Sequence, residues 1–164
     1  MPVELSDPDN LLKGTKSAGV AGFETAAAFV LDHLDRAAWE LSVCFVGDDA
    51  MQALNRDWRG NDSTTDVLSF SQTEGESLES GLLAQDDRHL GDVVISVTRA
   101  EQQARYGGWT IDEEISRLLL HGFLHLLGYD HEAGASEAQR MRQVESATAA
   151  AMVAAGLPCA RETP

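Results

Sequence analysis

The segment from Thr110 to Gly128 constrains this chain more than any other, because it reads as a helix that must be buried almost all the way round. Thr110-Ile111-Asp112-Glu113 has the form of a capping box, in which the threonine hydroxyl takes one free amide of the first turn and the glutamate takes another. Behind it, Ile111, Ile115, Leu118, Leu119, Phe123 and Leu126 cover much of the circumference. Such a helix belongs in the centre of a fold rather than on its surface. Gly128 can then adopt the left-handed conformation that ends a helix and turns the chain back.

The same helix carries chemistry. His121 and His125, four residues apart, project from one face about a turn from each other, and the reversal at Gly128 brings His131 toward the same point. A lone histidine on an apolar helix is usually a satisfied core residue. Here three of the chain's five histidines fall within eleven residues, with a helix stop between the second and third. That pattern fits one metal ion held by three neutral imidazoles, with a fourth tetrahedral position left open as in a catalytic rather than a structural zinc site. Zinc is the first expectation, although nickel, copper, cobalt or iron accept the same ligands. Imidazole binds metal only when neutral, so affinity is expected to fall below about pH 6 to 6.5.

The rest of the chain reads as scaffold. Val3 to Leu5 alternates like a short strand. Ser17 to Leu34 has a helical stripe of Val20, Phe23, Ala27, Val30, Leu31 and Leu34, with His33 off the stripe and facing solvent. Leu41 to Val46 reads as a strand buried on both faces and ended by Gly47. Asp48 is then expected to cap a helix on which Met51, Leu54 and Trp58 share the core side. Arg59, at the end of that helix and before a polar loop, can reach into a cleft with a planar fork suited to phosphate. Asp66 to Phe70 and Leu90 to Val97 are further strands, and Thr98 is expected to cap a short helix through Tyr106. Ser136-Glu137-Ala138-Gln139 suggests a second capping box, opening a helix that stops at Gly156 and Pro158. The acidic stretch 72–89 shows no period and suits a mobile insertion, and 157–164 reads as a tail.

At 164 residues the chain is most simply one domain with a core of its own. No apolar run approaches the roughly 18 residues that span a membrane, and the first ten residues are too acidic for a signal peptide, so a cytoplasmic protein is expected. Cys44 and Cys159, far apart and outside any CxxC spacing, read as free thiols. A net charge of −15 argues against a general polyanion-binding surface. Any RNA contact must be local, and 10 of the 12 basic residues are arginines, which suit a few defined phosphate contacts.

The histidine spacing overlaps the HExxHxxGxxH type of peptidase site, but the residue after the first histidine, there the general base, is here Gly122. A peptidase of the usual kind is therefore disfavoured. His121-Gly-Phe-Leu-His125-Leu-Leu-Gly128-Tyr-Asp-His131, preceded by Asn55-Arg-Asp-Trp-Arg59-Gly, Thr65-Asp-Val-Leu-Ser-Phe70 and Gly91-Asp-Val-Val-Ile-Ser96, resembles the YbeY family of single-strand-specific, metal-dependent endoribonucleases. The resemblance runs from about Leu41 to the last helix.

It implies an α+β fold with one mixed, mostly parallel sheet of about four strands and about five surrounding helices, the central one bearing the metal. It implies metal ligation by His121, His125 and His131, a catalytic role for His121, and substrate binding or catalysis by Arg59. Its implied partners are single-stranded ribosomal RNA and the ribosome or its associated proteins, with no membrane and no DNA, in ribosomal RNA maturation and ribosome quality control. Asp66 and Asp130 are candidates for contacting the ligands or moving a proton, although Asp66 could instead cap a strand and Asp130 orient His131. Ser71 departs from the family's usual proline, and 72–89 is longer than the family pattern. Two rival functions stay open: a metallohydrolase of another substrate such as a peptide, and a ribosome assembly factor whose metal is structural.

Overall fold

The four β-rich stretches become one sheet in the computed structural model, which describes residues 3–17, 19–71 and 89–160. The strands are β1 (Val3–Ser6), β2 (Glu40–Val46), β3 (Val67–Ser71) and β4 (His89–Ser96), ordered β1-β2-β4-β3 across the sheet. β1, β2 and β4 run parallel, whereas β3 pairs antiparallel to β4 and is the outermost of the described strands. Among the described residues five α-helices surround this sheet: α1 (Val20–His33), α2 (Asp48–Arg59), α3 (Val97–Gly107), α4 (Ile111–Leu126) and α5 (Ala135–Ala154). The α+β architecture with a mixed, mostly parallel sheet is the one expected.

The two sheet faces are covered unequally. Leu41, Val43, Phe45, Val93 and Ile95 join Phe23, Val30 and Leu31 of α1, the apolar faces of α4 and α5, and Leu90 in the main core. Each such side chain contributes on the order of 1.5–3 kcal/mol by leaving water. Among the described residues the opposite face is covered by α2, through a small cluster of Met51, Leu68 and Val94 with Cys44, Val46, Leu54 and Phe70 partly buried around it. β2 is therefore fully buried on one face only, because Cys44 and Val46 lie under a single amphipathic helix rather than a second full layer.

α4 is central, as its sequence demands. Its capping box forms: the Glu113 amide donates to Thr110 Oγ1 at 3.1 Å, and the Thr110 amide donates to Glu113 Oε1 at 3.0 Å. Ile115, Leu118, Leu119, Leu120, Phe123 and Leu124 are buried, with α4 packed on β3 and β4 and flanked by α1, α3 and α5. The helix meets the sheet at Gly122, where a Cβ would lie 2.9 Å from Val93 Cγ1, 3.1 Å from Ser69 Oγ and 3.2 Å from Val67 Cγ2. Ser69 Oγ donates to the Gly122 carbonyl at 2.9 Å and fastens β3 to the helix there.

Several local expectations change. Gly47, not Asp48, is the N-cap of α2; Asp48 instead accepts from Thr64 Oγ1 and Ser96 Oγ, both at 3.0 Å, tying α2 to the loop after it and to the end of β4. Ser96 rather than Thr98 caps α3, accepting from the Arg99 amide at 3.2 Å. No side chain caps α5, which begins after Gly134. Trp58 is 70 % exposed instead of sharing the core face with Met51 and Leu54, since among the described residues β3 is the last strand on this side of the sheet and Phe70 is the ring that meets it. His33 faces solvent as expected, stacked on Phe29. Residues 157–160 are not a loose tail: Cys159 and Ala160 are buried, and the Ala160 amide donates to the Glu113 carbonyl at 2.9 Å. The proposed insertion 72–89 lies outside the described residues except for His89, which opens β4.

Candidate metal centre

The three histidines meet as their spacing requires. His121 and His125 leave α4 on one face, with ring centroids 4.7 Å apart and their Nε2 atoms 3.1 Å apart. Gly128, at φ 95°, takes the left-handed conformation that reverses the chain, and His131 returns to lie 5.5 Å from the His121 ring and 5.1 Å from that of His125. One nitrogen of each ring lies within 4.8 Å of the others. Two nitrogens bound tetrahedrally at about 2.0–2.1 Å would sit roughly 3.3 Å apart. The helix-borne pair is close to that spacing already, and the exposed His131 sits wider. The residues present therefore fit a single metal ion with an all-imidazole donor set.

The surroundings of His125 favour its neutral ring. Burial is the main cause holding the His125 pKa below its usual value, helped by the neighbouring His121 and His131, so this imidazole keeps its lone pair available to a cation. On the other side, Glu145 of α5 places Oε2 3.4 Å from His121 Nδ1. A proton on Nδ1 can donate to that carboxylate, which leaves Nε2 as the ligating nitrogen and fixes the ring's tautomer. Glu145 was not foreseen from the sequence. The only signal was its place on α5 four residues after Met141, one position off the buried stripe, and that alone does not say which helix it faces.

The imidazoles line a cleft of about 780 Å³ that also contains Arg59, Ser69, Asp66 and Asp130. Arg59 comes from the last turn of α2. Its guanidinium donates to the Ser69 carbonyl of β3, and its Cζ lies 5.0 Å over the Phe70 ring. α2 and α4 pack on opposite faces of the sheet, so Arg59 reaches the metal cleft around β3.

The model of the family described as endoribonuclease YbeY matches residues 13–152. This chain belongs to the YbeY family. Among curated relatives carrying that name, one from an Anaeromyxobacter species is 47 % identical over 135 residues, covering 81 % of this chain and 66 % of the relative. A Persephonella marina relative is 43 % identical over 128 residues, covering 78 % of this chain and 80 % of its own length. The chain thus spans about two thirds of the length of the first relative. The solution structure of a Thermotoga maritima protein matches the fold with a TM-score of 0.55 at 20 % identity, covering 93 % of each chain.

Asp66 and Asp130 line the cleft, but their carboxylates are engaged elsewhere. Asp66 Oδ1 accepts from the Val67 amide at 2.8 Å and Oδ2 from Gln103 Nε2 at 3.3 Å, so it caps β3 and ties it to α3. Asp130 Oδ1 accepts from the Glu132 amide at 2.9 Å and shapes the turn that carries His131. Among the described hydrogen bonds, the carboxylate that reaches a cluster imidazole is that of Glu145.

Proposed function

We propose that this chain is a metal-dependent endoribonuclease that cuts single-stranded RNA, with His121, His125 and His131 holding one zinc ion and Arg59 binding the phosphate at the cut. The observation that carries this reading is the shared cleft: three convergent imidazoles and an arginine open onto one space large enough for a nucleotide. An all-imidazole donor set with an open position suits catalytic zinc, which when bound would supply Lewis acidity toward a phosphoryl oxygen or acidify a water.

The protein's own groups then have separate tasks. Arg59, steadied by the Ser69 carbonyl and the Phe70 face, neutralises charge that grows on the phosphoryl oxygens. Glu145 orients His121, a residue in this reading both ligand and part of the catalytic wall. Asp66 and Asp130 hold the cleft's shape. Family membership supports ribosomal RNA as the substrate, ribosome maturation and quality control as the setting, and the ribosome or its proteins as partners. A cytoplasmic location fits two cysteines that form no disulfide, and no described helix is long and apolar enough to cross a membrane.

Gly122 argues against the peptidase alternative on geometry as well as on chemistry. The position that carries the general base in zincins points into Val93, Ser69 and Val67, so a glutamate there would meet the sheet instead of a substrate. The test is cleavage of single-stranded RNA and of an unfolded peptide by the metal-loaded protein, with and without chelator. RNA cleavage that chelation abolishes supports the reading; peptide cleavage alone, or RNA bound but never cut, overturns it. Arg59→Ala should keep its metal and lose about 10²–10³-fold in RNA cleavage rate. Unchanged cleavage would remove Arg59 from the mechanism.

A further inference from the structure

An acidic protein that acts on a polyanion needs a source of affinity other than charge. The net charge is −15, and among the described residues Arg59 is the one Lys or Arg lining the metal cleft, which it shares with Asp66, Asp130 and Glu132. A single phosphate contact releases few counterions and yields little binding.

Beside Arg59 stands an unexplained side chain. Trp58 is 70 % exposed on the last turn of α2, where helical periodicity had placed it in the core. It meets Phe70 edge to face, with centroids 6.4 Å apart and planes at 73°, so the contact anchors the indole without a parallel ring over it. Arg59 lies over that same Phe70, 5.0 Å from its centroid, and also lines the metal cleft. The shelf of Trp58 and Phe70 is thus continuous with the catalytic space through one residue.

We propose that Trp58 is the stacking platform for a nucleobase of the RNA strand whose phosphate Arg59 holds. The proposal rests on the endoribonuclease reading above. A strand whose phosphate sits between Arg59 and the histidines can lay a neighbouring base around β3 onto the indole. A base inside a duplex is stacked on both sides and has no face to offer, so the shelf selects single strands. Stacking is indifferent to base identity, which suits loose sequence preference with strict strand preference.

The test compares metal-loaded wild type, Trp58→Ala, Trp58→Phe and Trp58→Lys for Kd, KM and kcat on a single-stranded oligoribonucleotide, with metal content and Tm measured in parallel. Trp58→Ala is expected to weaken binding and raise KM by roughly 5- to 150-fold, with metal content unchanged and Trp58→Phe largely restored. The wild-type salt dependence should be shallow, with log K falling by about 0.7 per tenfold rise in salt for each phosphate contact. Trp58→Lys separates stacking from charge: weaker binding supports the shelf, and tighter binding overturns it. Trp58→Ala within twofold of a wild type that binds and cuts RNA overturns the shelf alone. A wild type that neither binds nor cuts RNA overturns the endoribonuclease reading and the shelf with it.

Discussion

Gly122→Ala adds one methyl group at the closest approach of α4 to the sheet, and its cost follows from three neighbours. The new Cβ would sit 2.9 Å from Val93 Cγ1, on a side chain that is fully buried and too short to swing aside, and 3.1 Å from the Ser69 hydroxyl that bonds the Gly122 carbonyl. Overpacking of this kind costs about 1–3 kcal/mol. Weakening the Ser69 hydrogen bond adds about 1 kcal/mol. Against that, replacing a mid-helix glycine by alanine recovers about 1 kcal/mol of helix propensity. The net expectation is a loss of about 2 kcal/mol, or roughly 4–8 °C in Tm for a chain of this size. Urea and thermal denaturation of the metal-free protein measure it directly. Adding Val93→Ala should relieve the clash, so the double variant should be more stable than the two single losses summed predict. If Gly122→Ala unfolds at the wild-type temperature or above, α4 does not press on β4 as described. Position 122 would then have room for a catalytic side chain as well.

Glu145→Gln, which removes the charge facing His121 Nδ1 at 3.4 Å, should weaken zinc or cobalt affinity about 10- to 100-fold in a competition titration, with the apo fold intact; affinity equal to wild type would mean that Glu145 does not orient the ligand. The pH dependence has a defined sign. The His125 pKa is held below 6.5 in the fold, so between that folded value and 6.5 the unfolded chain binds more protons than the folded one. The stability of the metal-free protein should therefore be flat with respect to this group above about pH 7 and fall as pH drops below about 6.5. His125→Gln should make that slope shallower in urea titrations, and an identical slope in both proteins would count against a half-buried, neutral His125.

Much of the site was legible in the primary structure because it is local. His121, His125, Gly128 and His131 sit within one helix and one turn, where spacing alone sets direction, and the Thr110–Glu113 capping box marks where that helix starts. The apolar circumference of α4 likewise announced its central place. Caps that depend on a neighbour were less legible: Ser96 displaced Thr98, and Asp48 left its expected cap for Thr64 and Ser96, because each hydroxyl or carboxylate had partners distant in sequence. Arg59 was readable as a helix-end arginine, and the family resemblance singled it out, but its path around β3 was not readable.

What the sequence by itself determined is the chemistry that one helix end and the reversal after it can assemble: three imidazoles aimed at one point, with no glutamate at Gly122 to serve as base. The tertiary structure decided what surrounds that point. It brought Glu145 from α5 to His121 and engaged Asp66 with Val67 and Gln103. It also closed position 122 against Val93, and it left Trp58 outside the core. The division has a physical reason. Helical periodicity sets which side chains share a face, whereas only the packing of faces brought together from distant parts of the chain decides what each face meets.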